Sequence, residues 1–313
     1  MGKRVGSVPY LPQLKELDLS GNYDLHPDLT RMFKHQWPKL KTLVISDTNL
    51  RSLELYGNSI KGYIHSSISS LKSLDSLDFS FNNFQGFIPK SICEMFSLRR
   101  LILSGNNVTG TIPNCLYKLK HLSVFDVKEN FIEGSVCSKD SEFTTLFIDL
   151  SHNRLSGIIP SSIGNCSKLL SLNLGKNNLT GHIPNELEQV KSLRYLQLQD
   201  NFLDGTLVFN FFSIFADLEV LSLANNNFRG SIPTEFGSYN VLKIISLRSN
   251  KFQGTIPDEI SYCQNLQILD LSKNNLTGII PRQIGNSDML SEQKDQKMGY
   301  IAKKGSFMGH IDS

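Results

Sequence analysis

Six acidic residues recur at one position of a regular spacing, and neighbouring carboxylates are groups that could act as a general acid and base. Each stands four residues before an asparagine. They are Asp18, Glu54, Asp78, Asp126, Asp149 and Asp270. Because the same spacing recurs throughout the chain, it favours a row along one concave face over a catalytic pair.

Other signatures of catalysis are missing from the sequence. It contains no glycine-rich loop paired with a Val-Ala-Ile-Lys-like strand, no His-Arg-Asp loop and no Asp-Phe-Gly, so it includes no kinase domain. No HExxH motif occurs, and His152 is expected to be solvated rather than a metal ligand. The net charge is +3 without a basic run interleaved with aromatics, which gives no support for nucleic-acid binding. We predict a protein without enzymatic activity, cofactor or metal.

A period of about 24 residues dictates the elements that carry these side chains. Ten asparagines follow this period, and a glycine comes four residues after each of them. The asparagines are Asn58, Asn82, Asn106, Asn130, Asn153, Asn177, Asn201, Asn226, Asn250 and Asn274. Apolar residues eight, five and three positions earlier, such as Leu169, Leu172 and Leu174, predict a short strand with an inward apolar side. Each asparagine is predicted to bond the backbone of neighbouring coils in a structural ladder.

A second signature follows each asparagine, as in Gly110-Thr111-Ile112-Pro113 and Gly254-Thr255-Ile256-Pro257. The pattern LxxLxLxxNxLxGxIP resembles the plant-type leucine-rich repeat over residues 14–285. The resemblance implies an α/β repeat fold, a right-handed solenoid with a parallel concave sheet and an irregular or 3-10 convex side. Its relatives include extracellular receptor kinases, receptor-like proteins and polygalacturonase-inhibiting proteins.

Departures from the pattern divide the chain into three parts: irregular N-terminal repeats over 1–57, a regular solenoid over 58–285 and a tail over 286–313. Asn58 comes only ten residues after Thr48, the residue that replaces the asparagine of the previous repeat. This coil is therefore about 14 residues short, and we expect that a segment has been lost. The tail resembles the non-repeat island of plant receptor-like proteins, with Ile311 opening another repeat; its composition equally fits a disordered tail.

The cysteines predict neither a disulfide framework nor a zinc site, because five occur without CxxC spacing. Cys166 and Cys263 share one repeat position and are expected to be small buried hydrophobes. The cysteine pairs that normally cap the family's solenoids are not visible. The N-terminus lacks an apolar signal-peptide region, and no 18-residue apolar stretch predicts a membrane span.

Two surfaces are candidates for function. Four N-x-[ST] sequons predict glycosylation at Asn107, Asn165, Asn178 and Asn275, three of which share one repeat position. The concave sheet is the expected binding face, because the positions seven, six, four, two and one before each asparagine are free of the core. Its richest residues are Lys176, Arg194, Tyr195, Gln197, Gln199, Asp200 and Arg248, whereas Arg99 and Arg100 form a smaller patch. The alternative is a face that is merely soluble.

The resemblance implies the ectodomain of a plant cell-surface receptor-like protein acting in defence or development, as a fragment of a longer protein. It would lie on the extracellular side of the plasma membrane, bind a peptide or protein ligand and signal with a co-receptor kinase. Two alternatives stay open. One is a secreted inhibitor of microbial cell-wall hydrolases, and the other is a truncated, non-functional copy.

Overall fold

The computed structural model describes residues 16–18, 42–44, 51–136, 145–207 and 217–285. Its strands are short and all of their pairings are parallel. A two-stranded sheet is formed by β1 (Glu16–Asp18) and β2 (Thr42–Val44). The first large sheet contains β3 (Ser52–Glu54), β5 (Ser76–Asp78), β7 (Arg100–Ile102), β9 (Val124–Asp126), β11 (Phe147–Asp149), β13 (Ser171–Asn173), β15 (Tyr195–Gln197), β17 (Val220–Ser222), β19 (Ile244–Ser246) and β21 (Ile268–Asp270).

A second ten-stranded sheet runs beside the first. It contains β4 (Lys61–Tyr63), β6 (Asn83–Phe87), β8 (Asn107–Gly110), β10 (Phe131–Gly134), β12 (Arg154–Gly157), β14 (Asn178–Gly181), β16 (Phe202–Thr206), β18 (Asn227–Gly230), β20 (Lys251–Gly254) and β22 (Asn275–Leu276). The chain visits the first sheet, the second sheet and then, in most coils, a 3-10 turn. These turns are Ser66–Ser70, Lys90–Glu94, Asn114–Lys118, Ser161–Asn165, Asn185–Gln189, Thr234–Ser238, Asp258–Tyr262 and Arg282–Gly285.

This arrangement confirms the predicted solenoid with its parallel sheet and 3-10 side. Within the described residues every helical turn is of the 3-10 type. The repeated proline explains where these turns begin, since Pro89 and Pro257 directly precede two of them in extended conformation. The Pro89 carbonyl then accepts the first turn bond, from Ile92 N at 3.0 Å. The ring fixes φ at a position whose missing N–H is not needed by a sheet.

The core consists of columns of apolar side chains, one from each coil, most of them aliphatic. In the first sheet, Leu77, Leu101, Leu172 and Leu196 occupy equivalent positions, and each is 0% exposed. Each lies in register with the equivalent residue of the next coil, as Leu77 does with Leu101. A coil therefore buries its apolar side only by stacking on its neighbours, which makes stability a nearest-neighbour property.

The asparagine ladder is confirmed, and Asn177 shows its geometry. Its Nδ2 donates to the carbonyls of Leu174 at 3.0 Å and Gly175 at 3.2 Å in its own coil, and to that of Leu150 at 3.0 Å in the previous coil. Its Oδ1 accepts from Leu155 N at 3.0 Å. Among the described residues, the partners of Asn58 Nδ2 are the carbonyls of Leu55 and Tyr56 in its own coil, and its buried Oδ1 has none.

The N-terminal repeats are described only at their two strands. Leu17 pairs with Leu43, as expected when each lies five residues before the ladder position of its repeat. Of the short coil predicted near 48–58, residues 48–50 lie outside the described residues, as do Asn22 and the tail from 286 onwards. The proposed loss of a segment and the division at residue 58 stay predictions.

One expectation is wrong: Cys93 and Cys115 form a disulfide, with their Cα atoms 5.7 Å apart. They lie on the 3-10 turns Lys90–Glu94 and Asn114–Lys118 of consecutive coils. Stacking the turns brings two cysteines together although no short-range motif connects them. Cys166 and Cys263 are buried thiols that form no disulfide, as predicted, while Cys137 lies outside the described residues.

Candidate functional site

The outward face of the first sheet is built from fixed positions of the repeat, and we call it the binding face because the sequence predicts binding there. Strand alternation turns the residues five and three positions before each ladder asparagine inward, so those at positions −6 and −4 point outward. Position −7 precedes each strand, and positions −2 and −1 follow it. Equivalent positions are stacked in columns, as Tyr195 with Val220 and Gln197 with Ser222.

Four residues from three consecutive coils form a polar cluster at one side of this face. Glu219 Oε2 lies 2.8 Å from Lys243 Nζ, and Glu219 Oε1 lies 3.9 Å from Arg194 Nη1. The Tyr195 hydroxyl donates to Glu219 Oε2 at 3.4 Å. Burial and the Glu219 carboxylate raise the pKa of Tyr195, and the hydrogen bond to Glu219 raises that of Lys243. One carboxylate between two cations leaves the cluster a net positive charge.

The remaining candidates on this face lie on either side of the cluster. Gln199 packs over Gly175, where a Cβ would come within 2.5 Å of its Nε2, and its buried Oε1 has no partner within the described residues. Asp200 Oδ1 accepts from Asn225 Nδ2 at 2.7 Å. Arg248 Nη1 lies 3.9 Å from Asp270 Oδ2.

Lys176 is exposed at position −1, whereas Gln197 is half-buried on the strand itself. Partial burial, and then the Lys176 charge, lower the pKa of His152, which occupies position −1 of the preceding coil. His152 is exposed, as the sequence predicted. The candidate residues from the three coils that contain the ladder asparagines Asn177, Asn201 and Asn250 thus lie on one face.

Sequence reasoning missed Glu219 and Lys243. Both occupy position −7, the position of Arg194, so the repeat itself could have identified them. Ranking residues by aromatic and arginine character passed over them, although Glu219 connects Arg194, Tyr195 and Lys243.

The acidic residues form an interrupted row in which Glu54 lies beside Asp78 and Asp126 beside Asp149. Ile102 separates these two pairs. Desolvation, and then the Asp149 charge, raises the pKa of Asp126 to about 7, although Lys128 N donates a hydrogen bond to its carboxylate. Burial likewise raises the pKa of Asp78.

The outer members of the row lie elsewhere. Asp18 belongs to the separate two-stranded sheet, and Asp270 accompanies Arg248. Within the described residues no group of three or more histidine, cysteine or acidic side chains could hold a metal ion.

Family comparison agrees with the repeat geometry. Models described as leucine rich repeat match residues 48–108 and 148–203, and further matches cover 217–239, 241–263 and 265–287. Together these segments make up more than half of the chain. The chain belongs to the leucine-rich repeat family.

Solved structures place this leucine-rich repeat chain beside plant receptor ectodomains. It is 27% identical to the plant peptide hormone receptor RGFR1, solved in complex with RGF2, with a TM-score of 0.71 over 83% of this chain and 47% of that chain. It is also 27% identical to the Arabidopsis receptor kinase HAESA, solved with the peptide hormone IDA and the co-receptor SERK1, with a TM-score of 0.53 over 83% and 58%. It therefore spans about half the length of these receptor chains.

The leucine-rich repeat fold is not restricted to receptors. A plant ice-binding protein is 24% identical, with a TM-score of 0.65 over 73% of this chain and 74% of that chain, and at that identity the likeness shows the fold alone. No curated protein sequence matches the chain. Among the described segments there is no helix with the length and apolar character that crossing a bilayer requires.

The sequons of this leucine-rich repeat protein lie away from the binding face. Asn107, Asn178 and Asn275 each open a strand of the second sheet, and their side chains are exposed. Asn165 ends the 3-10 turn Ser161–Asn165 and is also exposed. All four asparagines are thus sterically open to modification.

Arg99 and Arg100, the smaller candidate patch, are exposed on the binding face four coils before Arg194. Asp75 O accepts the backbone N–H groups of both arginines, at 2.7 and 2.9 Å. They are separated from the polar cluster by the coils that carry Asp126 and Asp149.

Proposed function

We propose that this chain is the ligand-binding part of a plant cell-surface receptor-like protein and that its ligand, a peptide or protein, binds across the binding face. The observation that carries the proposal is the polar cluster of Arg194, Tyr195, Glu219 and Lys243 on an otherwise regular sheet. Neither stacking nor the ladder requires these side chains, yet they form one connected group. Tyrosine and arginine are residue types that concentrate binding energy at interfaces.

The comparisons support a peptide as the ligand and a co-receptor kinase as the partner. RGFR1 was solved with the peptide RGF2, and HAESA with the peptide IDA and the co-receptor SERK1. A signalling role in defence or development belongs to the same proposal.

An extracellular location for the intact protein is supported by the disulfide and the sequons. Disulfides persist in oxidising compartments, and Cys93–Cys115 is one. The sequons on the second sheet would hold glycans without covering the binding face. Glycosylation at Asn107, Asn165, Asn178 and Asn275 is therefore part of the proposal.

A peptide-capture experiment tests the ligand-binding role. The full chain, secreted through a heterologous signal peptide and immobilised, is incubated with the small-peptide fraction of plant culture medium, and retained peptides are identified by mass spectrometry. We expect specific peptides to be retained at least tenfold less by the variant Y195A/Q197A. The control F202A/R229A removes an aromatic and a polar side chain from the second sheet and should retain them fully.

Equal retention by the two variants, or retention of no peptide by the wild-type chain, would contradict the proposal. Circular dichroism and thermal melting of each variant show that the solenoid is folded when binding is measured.

A further inference from the structure

Apolar side chains form a strip across seven coils of the binding face, interrupted once by a serine. Position −6 of consecutive coils is occupied by Val124, Phe147, Ser171, Tyr195, Val220, Ile244 and Ile268. Every neighbouring pair in this series lies in direct register. We call the six apolar members of this series the apolar column.

The core does not require these residues to be apolar. In the same strands the inward side chains, such as Leu196 and Leu221, are 0% exposed and already fill the interior. The apolar column lies on the other side of the sheet, where its members are half-buried and Ile268 is 44% exposed.

Strand propensity does not account for the column either. Valine and isoleucine are favoured in strands, so propensity alone would place them at both outward positions. Position −4 of the same strands instead carries polar residues such as Asn173, Gln197, Ser222 and Ser246. Position −6 of earlier coils carries Ser52, Ser76 and Arg100, so the column begins abruptly at Val124. The fold tolerates serine at this position, and something other than folding selects the apolar side chains.

The dimensions of the column suit an extended peptide. Six steps between strands at about 4.8 Å give a strip of roughly 29 Å. An extended chain advances about 3.3 Å per residue, so about nine residues cover the strip. Because alternate side chains of an extended chain point the same way, only every second residue would contact the column.

Charge at the first end of the column adds a second requirement. Val124 and Phe147 share their strands with Asp126 and Asp149, which lie side by side. The Asp149 carboxylate accepts hydrogen bonds from Ser151 and Asn173, and neither aspartate belongs to an ion pair within the described residues. Further along the face, by contrast, Glu219 and Asp270 each lie near a basic side chain. Asp126 is only 4% exposed, whereas Asp149 is half-buried, so a cationic group on the ligand would complement the Asp149 carboxylate.

We propose that the apolar column is the specificity-determining strip of the binding face, and that its ligand is an extended peptide of about nine residues with apolar alternate side chains and a basic group at the Asp126–Asp149 end. The proposal rests on the peptide-binding function proposed above. The apolar column selects against polyanionic oligosaccharides, which offer it no apolar side chains.

Two synthetic nonapeptide pools test this assignment on the full chain. Both begin with lysine; one carries Val, Leu, Ile or Phe at every second position, and the other carries serine there. We expect at least tenfold stronger retention of the first pool. The variant V220S/I244S should lose that preference, because serine removes the apolar contacts while matching the residues already present at Ser76 and Ser171. The control I158S/F202S removes two exposed apolar side chains, Phe202 of the second sheet and Ile158 directly after its strand β12, and should keep the preference.

The lysine tests the charged end. Replacing it by norleucine in the first pool should weaken retention at least fivefold for the wild-type chain, and D149N should abolish that difference. If V220S/I244S and I158S/F202S lost the preference for the first pool equally, the role assigned to the apolar column would be wrong, because retention would then reflect nonspecific hydrophobic binding.

The two proposals fail in different ways. If the wild-type chain retains natural peptides from culture medium but does not prefer the first pool, the apolar column is wrong and the binding function stands. If it retains neither natural nor synthetic peptides, both proposals are wrong.

Discussion

At the residue scale, the ladder asparagine stabilises two coils at once. Asn177 Nδ2 donates to carbonyls of its own coil and of the previous coil, and its Oδ1 accepts from Leu155 N of the previous coil. A side chain without both donors and an acceptor leaves these buried groups unpaired, at about 1–3 kcal/mol each. This explains why asparagine persists where the surrounding surface residues vary.

Comparing Asn177→Ala with Asn58→Ala tests this role within one chain. N177A loses bonds to two coils and should lower the free energy of unfolding by about 3 kcal/mol or more. Within the part of the chain that the structure describes, Asn58 bonds carbonyls of its own coil alone and its Oδ1 has no partner, so N58A should cost about 1 kcal/mol. Urea denaturation followed by circular dichroism measures both. Equal losses would show that bonds between coils contribute little.

Asp126 makes stability depend on pH in a direction opposite to that of a salt-bridged carboxylate. Its pKa is raised to about 7 in the folded chain by burial and by Asp149, from 3.8 in the unfolded chain. Between these values the native state binds more protons than the unfolded state, so stability falls as pH rises from about 4 to 7.

Asp126→Asn should therefore stabilise the protein at pH 7.5, by a few kcal/mol at most, and have little effect at pH 4. The asparagine Oδ1 can still accept the hydrogen bond from Lys128 N, so the variant changes the charge at this position and keeps that bond. Thermal melting across this pH range measures the difference. Asp78→Asn, at a less buried carboxylate, should act in the same direction but less strongly. A stabilisation by D126N that is independent of pH would exclude titration of Asp126 as the cause.

At the element scale, the packing of the second sheet explains why glycine recurs four residues after each ladder asparagine. Gly86 and Gly110 have φ values of 76° and 74°, which favour glycine, and each lies against an aromatic ring of the preceding coil. A Cβ would come within 2.4 Å of the Tyr63 ring at Gly86 and within 2.2 Å of the Phe87 ring at Gly110. The glycine thus has two roles. It adopts a left-handed backbone conformation, and its missing side chain leaves room for the aromatic ring packed against it.

Gly110→Ala and Gly157→Ala separate these two roles. Both glycines have positive φ, but a Cβ at Gly157 meets no atom within 4 Å. G157A should cost about 1 kcal/mol of backbone strain, and G110A should cost more because it also displaces Phe87. In F87A the excess cost of G110A should disappear. Chemical denaturation measures the free energy of unfolding of each variant. Equal losses in G110A and G157A would show that packing of Phe87 against Gly110 contributes nothing.

How much of the fold the sequence could predict depends on how clear the residue pattern of each element is. The first sheet was predictable because Leu172 and Leu174 belong to a pattern repeated ten times. The second sheet was not, since its strands are two to five residues long and the glycine within them is typical of a turn. The candidate residues could be assigned to one face from their repeat positions, whereas the role of Glu219 emerged only from distances to side chains one coil away.

At the scale of the whole molecule, the solenoid behaves as a one-dimensional stack in which each coil is stabilised by its neighbours. The Cys93–Cys115 disulfide adds a covalent connection between two adjacent coils on the 3-10 side. The sequence could not predict it, because the two cysteines differ in repeat position and come together only when the turns are stacked. A crosslink of this kind stabilises locally, so its removal should affect some coils more than others.

Removing the disulfide by C93A/C115A should cost about 3 kcal/mol, because the bond closes a short loop in the unfolded chain. Since coils interact with their neighbours, hydrogen exchange should accelerate most around Leu77, Leu101 and Phe125 and least around Ile245 at the far end of the stack. Mass spectrometry of exchanging peptides measures this gradient. Reduction of the wild-type protein should reproduce it, whereas the same reductant should leave C93A/C115A unchanged. Uniform acceleration along the solenoid would instead mean that the ten coils unfold as a single cooperative unit.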